Sequence, residues 1–265
     1  MSTNQFQSNN MGLGLTPAGG AGATPTLTGD TDRPVILGAL STTSGRGIAT
    51  ALRVATWDLI WSNQGFPLSA LGLGSAMSSE NYAGLALFPG QGITLNTLLD
   101  ANGSIGGMWS IDDLESDAEA MAFVERLVKS RRPPGRINWL FGQGQVNLLA
   151  ATPGQQLTAS AARPGRGPGM LIVDVGGAPA LNDVQLVDVQ IKKVSQMANT
   201  RPIEASLLGA TNFNRYGLYI DQDIPVNTPI TLVFDNANVA PIPVSAGWMA
   251  MPPKNLARDF VDLRG

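Results

Sequence analysis

The sequence predicts a mainly β protein built as a β-sandwich, one or two of them, with one or two helices inserted or flanking. Three observations carry this. Beyond residue 135, short segments rich in β-branched and aromatic residues recur with Gly, Pro, Asn or Asp between most of them, the rhythm of strands joined by turns. Glycine (31) and proline (18) are abundant. Charged residues are 14% of the chain against 43% hydrophobic, where an average soluble domain carries roughly 25% charged. Ser, Thr, Asn, Gln and Gly must therefore cover much of the surface, and little electrostatic repulsion keeps copies apart.

Taken in order, residues 1–32 read as a flexible N-terminal arm. Six glycines and a Thr/Pro mixture leave only Met11, Leu13, Leu15 and Leu27 as large apolar side chains after Phe6, too few to offset the entropy of ordering the segment alone. A first β module is expected over residues 33–140, starting with a strand at Val35-Ile36-Leu37. Within it the spacing of Ile48, Ala51, Leu52, Ala55, Leu59 and Ile60 predicts a helix over residues 48–61, ended by Gly65 and Pro67. A second helix is expected over residues 112–130. Ser110 and Asp113 suggest a capping box, acidic residues open it, Lys129, Arg131 and Arg132 close it, and Pro133-Pro134 stops it. Ala118 and Ala122 fall on its expected buried face.

A second β module is expected over residues 141–265, with the strand series beginning just before it. Candidate strands lie at residues 137–141, 146–149, 156–160, 170–175, 184–191, 203–208, 216–220, 230–234 and 242–248. Alternation in one of them sets Val184, Leu186 and Asp188 on one face, with Gln185, Val187 and Val189 on the other. An internal echo runs through the chain. Pro89-Gly90-Gln91 precedes Ile93-Thr94-Leu95-Asn96, Pro153-Gly154-Gln155 precedes Gln156-Leu157-Thr158-Ala159, and Pro225-Val226-Asn227 precedes Ile230-Thr231-Leu232-Val233. Either one turn-then-strand device is reused, or two related sandwiches follow one another.

The chain has no cysteine and no histidine. That removes thiolate nucleophiles, Cys-ligated metals, the usual general base near neutral pH and every Ser-His-Asp or Cys-His arrangement. No enzyme is expected, no catalytic residue is assigned and no cofactor is implied. The weak metal candidates are Asp221, Asp223 and Asp235: alternate spacing puts the first two on one side of an extended segment, and a Ca²⁺ ion would suit such oxygen ligands. The competing reading makes them turn residues capping strand ends. Gly45-Arg46-Gly47 lacks the Lys-Ser/Thr pair of a phosphate loop and reads as a turn entering a helix. Residues 163–169 read as an exposed, mobile loop. Net charge is −3, so no global field draws the chain to nucleic acid. The local clusters Lys129, Arg131, Arg132, Arg136 and Arg163, Arg166 read as a solvated corner or an interface patch, with nucleic-acid contact as the alternative. No stretch approaches the roughly 20 apolar residues that span a bilayer; residues 48–61 leave peripheral membrane contact as the alternative to a packed helix. The five tryptophans read as core.

With the Gly/Thr-rich arm and stretches such as the one from Asp223 to Asn236 (DIPVNTPITLVFDN) in view, the chain resembles the jelly-roll coat proteins of icosahedral, tailless viruses and bacteriophages, including the double-jelly-roll group. The resemblance implies a jelly-roll-type β-sandwich and a virion location. It also implies a self-assembling capsid component whose partners are copies of itself and other structural proteins. The two expected helices depart from that pattern. The alternative is a carbohydrate- or protein-binding β-sandwich module of the adhesin or fibre type.

Overall fold

The computed structural model describes residues 9–19, 26–30, 35–43, 47–54, 57–71, 85–87, 90–99, 103–113, 118, 122, 139–177, 179–197, 201–209 and 218–251. The chain is mainly β, and every strand pair in its sheets is antiparallel. The first half contributes β1 (Asn9–Gly19), β2 (Thr26–Asp30), β3 (Val35–Thr43), β4 (Gly47–Val54), β5 (Trp57–Asp58), β6 (Phe66–Pro67), β7 (Leu85–Leu87), β8 (Gly92–Leu99) and β9 (Gly103–Asp113). The second contributes β10 (Trp139–Leu148), β11 (Thr152–Ser160), β12 (Gly165–Val175), β13 (Val184–Ile191), β14 (Val194–Ser195), β15 (Ile203–Glu204), β16 (Tyr219–Ile224), β17 (Pro229–Asn236) and β18 (Ile242–Met251). The sheets run β1-β9-β3-β7 and β2-β8-β4-β5 in the first half, then β10-β18-β12-β16 and β11-β17-β13-β14 in the second; β6 pairs with β4 and β15 with β13.

The two halves repeat one plan. With the two-residue β6 and β15 set aside, each half puts its first, eighth, third and sixth strands in one sheet and its second, seventh, fourth and fifth in the other. Spacing repeats as well as order. β4, β5, β6, the following 3₁₀ turn (Leu68–Leu71) and β8 recur as β13, β14, β15, the 3₁₀ turn Ala205–Leu208 and β17, at a constant offset of 137 (47 to 184, 66 to 203, 92 to 229). The internal echo belongs here: Ile93-Thr94-Leu95 and Ile230-Thr231-Leu232 occupy the same places in β8 and β17. Each strand follows a residue of positive φ, Gly90 (81°) and Asn227 (59°), which reverses the chain in the left-handed region that Gly and Asn tolerate best. The third member of the echo opens β11, a second strand rather than a seventh.

Burial follows the pleat. β17 alternates strictly, with Ile230, Leu232, Phe234 and Asn236 inward. In β13 a bulge between Leu186 and Asp188 resets the alternation, so Val184, Leu186, Val189 and Ile191 are all buried. The expected facing of Val184, Leu186 and Asp188 against Val189 is corrected accordingly. One apolar cluster runs from Leu52, Leu95 and Leu99 through Trp61 and Phe66 to Phe141, Leu171 and Trp248. A buried polar side chain ties the second half's sheets together inside it. Gln143, fully buried on β10, donates from Nε2 to the Leu157 carbonyl (2.8 Å) and the Ile230 carbonyl (2.6 Å), and its Oε1 accepts from Trp248 Nε1 (3.2 Å).

Several expectations change. Residues 9–19 and 26–30 of the expected arm are strands, paired with β9 and β8; Gly-rich segments too apolar-poor to order alone are ordered by neighbouring strands. Residues 48–54 are strand, not helix. A bulge between Ala49 and Ala51 puts Ile48, Ala49, Ala51 and Leu52 all in the interior, and an alternation broken by a bulge imitates the helical period. Asp112 and Asp113, expected to open the second helix, close β9. Ala118 and Ala122 are helical but exposed, and the remainder of residues 114–130 lies outside the described residues. β12 runs through residues 165–169, where a mobile loop was expected. The last strand of the first half ends at Asp113 and the first of the second half begins at Trp139.

Replacing Gln143 with Leu strands an indole N–H and two strand carbonyls in the core. At about 1–3 kcal/mol per abandoned buried group, partly relieved by repacking, urea denaturation is expected to show a loss of about 2–4 kcal/mol.

Candidate assembly interface at the joint between the two halves

After β5 the chain leaves its own sheets and lies along β10 and the end of β11. Leu140 N donates to the Leu59 carbonyl (2.9 Å), Trp61 N to the Leu140 carbonyl (3.0 Å) and Gly144 N to the Gly65 carbonyl (2.9 Å). Ser62 Oγ donates to the Gly142 carbonyl (2.6 Å). Asn63 N donates to the Ser160 carbonyl (3.0 Å) while Ser160 N donates to Asn63 Oδ1 (2.7 Å). Ala162 N reaches the Trp61 carbonyl (2.9 Å). The segment thus satisfies the outer edge of β10, which would otherwise present bare donors and acceptors.

Side chains lock this backbone pairing. Trp61 is 3% exposed and meets Phe141 edge to face, centroids 5.5 Å apart and planes at 86°, the arrangement the ring quadrupoles favour. Its Nε1 is buried with no partner among the described residues, so shape, not hydrogen bonding to them, holds the ring. Arg163 Nη2 donates to the Asp58 carbonyl. Close approach needs glycine on the receiving side. A Cβ at Gly142 would overlap the Gln64 carbonyl and Gly65, one at Gly165 the Trp61 ring, and one at Gly247 the Phe66 ring and Pro67. Gly144 also has φ +94°.

A second feature stiffens one end of the second half. Asn238 Nδ2 donates to Asp183 Oδ2 (2.6 Å), Ala237 N to the Asp183 carbonyl (2.7 Å) and Ala151 N to the Asn238 carbonyl (2.8 Å), while Asn236 Nδ2 reaches the Leu149 carbonyl (3.0 Å). Leu149, Leu181 and Val239 stand exposed on these loops.

The carboxylates singled out from sequence are not gathered. Asp221 and Asp223 lie on β16, opposite Pro168 and Arg166 of β12. Asp235 lies on β17, in the other sheet, and accepts from Gly154 N at 2.7 Å. Among the described residues no three of Asp, Glu, His and Cys come together as metal ligands. Gly47 opens a strand rather than a helix, so no helix terminus stands behind Gly45-Arg46-Gly47. Trp61 and Trp248 are core residues, as expected; Lys129, Arg131, Arg132 and Arg136 lie outside the described residues. No described helix is long and apolar enough to cross a membrane. The joint itself was missed from sequence. Its signal was the pair Gly142-Gln143-Gly144 inside a strand pattern, since glycine there marks another backbone passing close.

No family model matches the chain, and no curated protein matches it. Among solved structures it is similar to a chain of a quasi-atomic model of the PBCV-1 virus capsid, at 9% identity and a TM-score of 0.33, covering 94% of this chain and 95% of that one. It is similar also to PBCV-1 VP54 fitted into a cryo-EM reconstruction of the virophage Sputnik, at 7% identity and a TM-score of 0.32 with the same coverage.

Two substitutions separate the joint's steric demand from glycine's conformational role. Gly142→Val is expected to cost more than about 3 kcal/mol or to abolish soluble expression, because backbone cannot move aside. Gly90→Ala, with φ +81° and nothing within 4 Å of its Cβ, is expected to cost about 1–2 kcal/mol. Thermal denaturation of both variants checks the contrast.

Proposed function

We propose that the chain is a virion structural protein, a self-assembling capsid component without catalysis, in which each half is a jelly roll. One observation carries the reading: the order first-eighth-third-sixth over second-seventh-fourth-fifth occurs twice. Eight strands in two sheets with such long-range neighbours form the jelly roll, an architecture that viral capsid domains use. Two such units joined rigidly by their own chain make a wide tile. Its sparse charge suits close contact between copies, and copies of itself are the first partners, other virion proteins the second. Nucleic-acid contact receives less support, because Arg163 is committed to the Asp58 carbonyl.

Lectin domains also use jelly rolls, which keeps the carbohydrate- or protein-binding module as the second reading. Such a module needs an exposed aromatic platform. Among the described residues the exposed large apolar side chains are Leu149, Leu181, Val194, Leu207, Tyr219, Val226 and Val239. Tyr219 is the one aromatic in that set, and a single ring is a poor platform.

Gel filtration coupled to light scattering, with electron microscopy of the peak, decides between them. A finite assembly of several chains, or a shell, is expected. A single chain at every concentration that binds a glycan or peptide ligand would move the assignment to the second reading.

A further inference from the structure

The hairpin that joins β13 to β14 makes a costly turn. Ile191 pairs with Val194, so Lys192 and Lys193 alone form the loop, at φ 51° and 67°. Both angles lie in the left-handed region, which a residue with a Cβ enters at a cost and which Asn-Gly enters readily. Two adjacent lysines there are outliers, and strain kept on the surface points to a task outside the fold. The repeated plan supplies a comparison. At the offset of 137, Ala55-Thr56 stand where Lys192-Lys193 stand, so the architecture does not itself require the two cations.

Three connections gather at this end of the second half. Lys192 N donates to the Pro229 carbonyl (3.0 Å), Asn227 N to the Ala161 carbonyl (2.8 Å) and Ala161 N to the Thr228 carbonyl (3.2 Å). The β13–β14 turn, the β16–β17 turn and the start of the β11–β12 connection are thereby held together. Lys192 and Lys193 are exposed, and among the described residues neither makes an ion pair. The hairpin's own carboxylate, Asp188, lies back from the tip and accepts from Gln190 Nε2 (2.9 Å) and Ser195 Oγ (2.6 Å). Asp223 stands opposite Arg166 in the β12–β16 register. Val194 follows the lysines and Val226 lies in the β16–β17 turn; they are 62% and 45% exposed. At the opposite end, residues 149–151, 179–183 and 237–241 contain no Lys or Arg.

We propose that this tip seats on an anionic lipid surface, with Lys192 and Lys193 among the headgroups and Val194 and Val226 at the boundary with the acyl chains. Charge complementarity selects the surface, because the two lysines have no carboxylate of their own. With a net charge of −3 the chain has no general attraction to such a surface, and attraction to headgroups fades within a Debye length. The projecting tip therefore sets which end binds. A nucleic-acid backbone would use the lysines and leave the valines in water, whereas a lipid interface takes both kinds of side chain. Two lysines bind weakly in one chain, and many chains on one vesicle bind together.

The test uses the full chain, coupled through its C-terminus at high density to a sensor, so that many copies meet each vesicle whatever the state of assembly. Vesicles of phosphatidylcholine with about one third phosphatidylserine are expected to bind at low salt and to leave at high salt, and pure phosphatidylcholine vesicles to bind far less. Lys192→Asn with Lys193→Gly gives the turn the residues it fits best. That variant is expected to melt no lower than the wild type yet bind anionic vesicles roughly thirtyfold less, about fivefold for each lysine. Val194→Ser with Val226→Ser is expected to weaken vesicle binding as well. Wild-type chain that ignores anionic vesicles, binds neutral ones equally, or keeps its binding without the lysines overturns the lipid contact and leaves the capsid reading standing. Vesicle binding that ignores the valines, with a DNA duplex bound equally well through the lysines, assigns the tip to nucleic acid instead.

Discussion

The backbone pairing between residues 59–65 and the outer edge of β10 is the interaction on which the rest of the molecule depends. A strand at the end of a sheet exposes a row of N–H and C=O groups, and those on β10 are met by Leu59, Trp61, Ser62 and Gly65. The contact works only because Gly142, Gly165 and Gly247 offer no Cβ. Three receding positions on three strands of one sheet make a shallow slot, into which Trp61, Phe66 and Pro67 fit. Without the slot, the aromatic side chains would be held off by about the radius of a methyl group, and a close-packed interior does not forgive such a gap. The cores of the two halves therefore fuse into one cluster rather than meeting as two separate surfaces.

Repetition of the plan shows which features the architecture requires and which serve the joint. The bulge in β4 recurs in β13, and the two-residue strand followed at once by a 3₁₀ turn recurs after each. These features fold the sheet edge over its own core in both halves. The turn between β13 and β14 places Lys192 and Lys193 at φ 51° and 67°, the geometry of a two-residue hairpin that Asn-Gly fits more easily. Side chains of the joint diverge instead. Trp61 has no aromatic counterpart in the second half, where Ala198 stands at the matching position.

Much of the second half was legible because its strands are short, alternating and fenced by turn residues. Val184–Ile191 was read to the residue, and β17 to within two. Misreadings fell where period alone decides. Bulges shift the alternation by one residue, which made β4 look helical and put Val189 on the wrong face. β1 and β2 were hidden because glycine is depleted in strands and large apolar residues are few there, and such strands are stabilised by the neighbours they pair with rather than by their own side chains. The three carboxylates are divided between sheets for a different reason. Sequence spacing sets which face a residue takes, but only topology sets which sheet, and Asp235 is in the other one. The repeat was visible as an echo of three turns, yet its force lay in constant spacing, which needs strand boundaries before it can be measured.

Edge management connects the fold to assembly. Natural sheets blunt their edges by making them short, covering them or charging them. At one end of three of its four sheets this protein uses shortness: β5 and β14 have two residues, β7 has three. β10 is covered from within the chain, and the end of β11 is held by Asn63. β1 has eleven residues, carries no charged side chain and ends its sheet among the described residues. β1 repeats at Gly12 and Gly14 the glycine pair that Gly142 and Gly144 make on β10, the residue type that lets another backbone pass close to a strand.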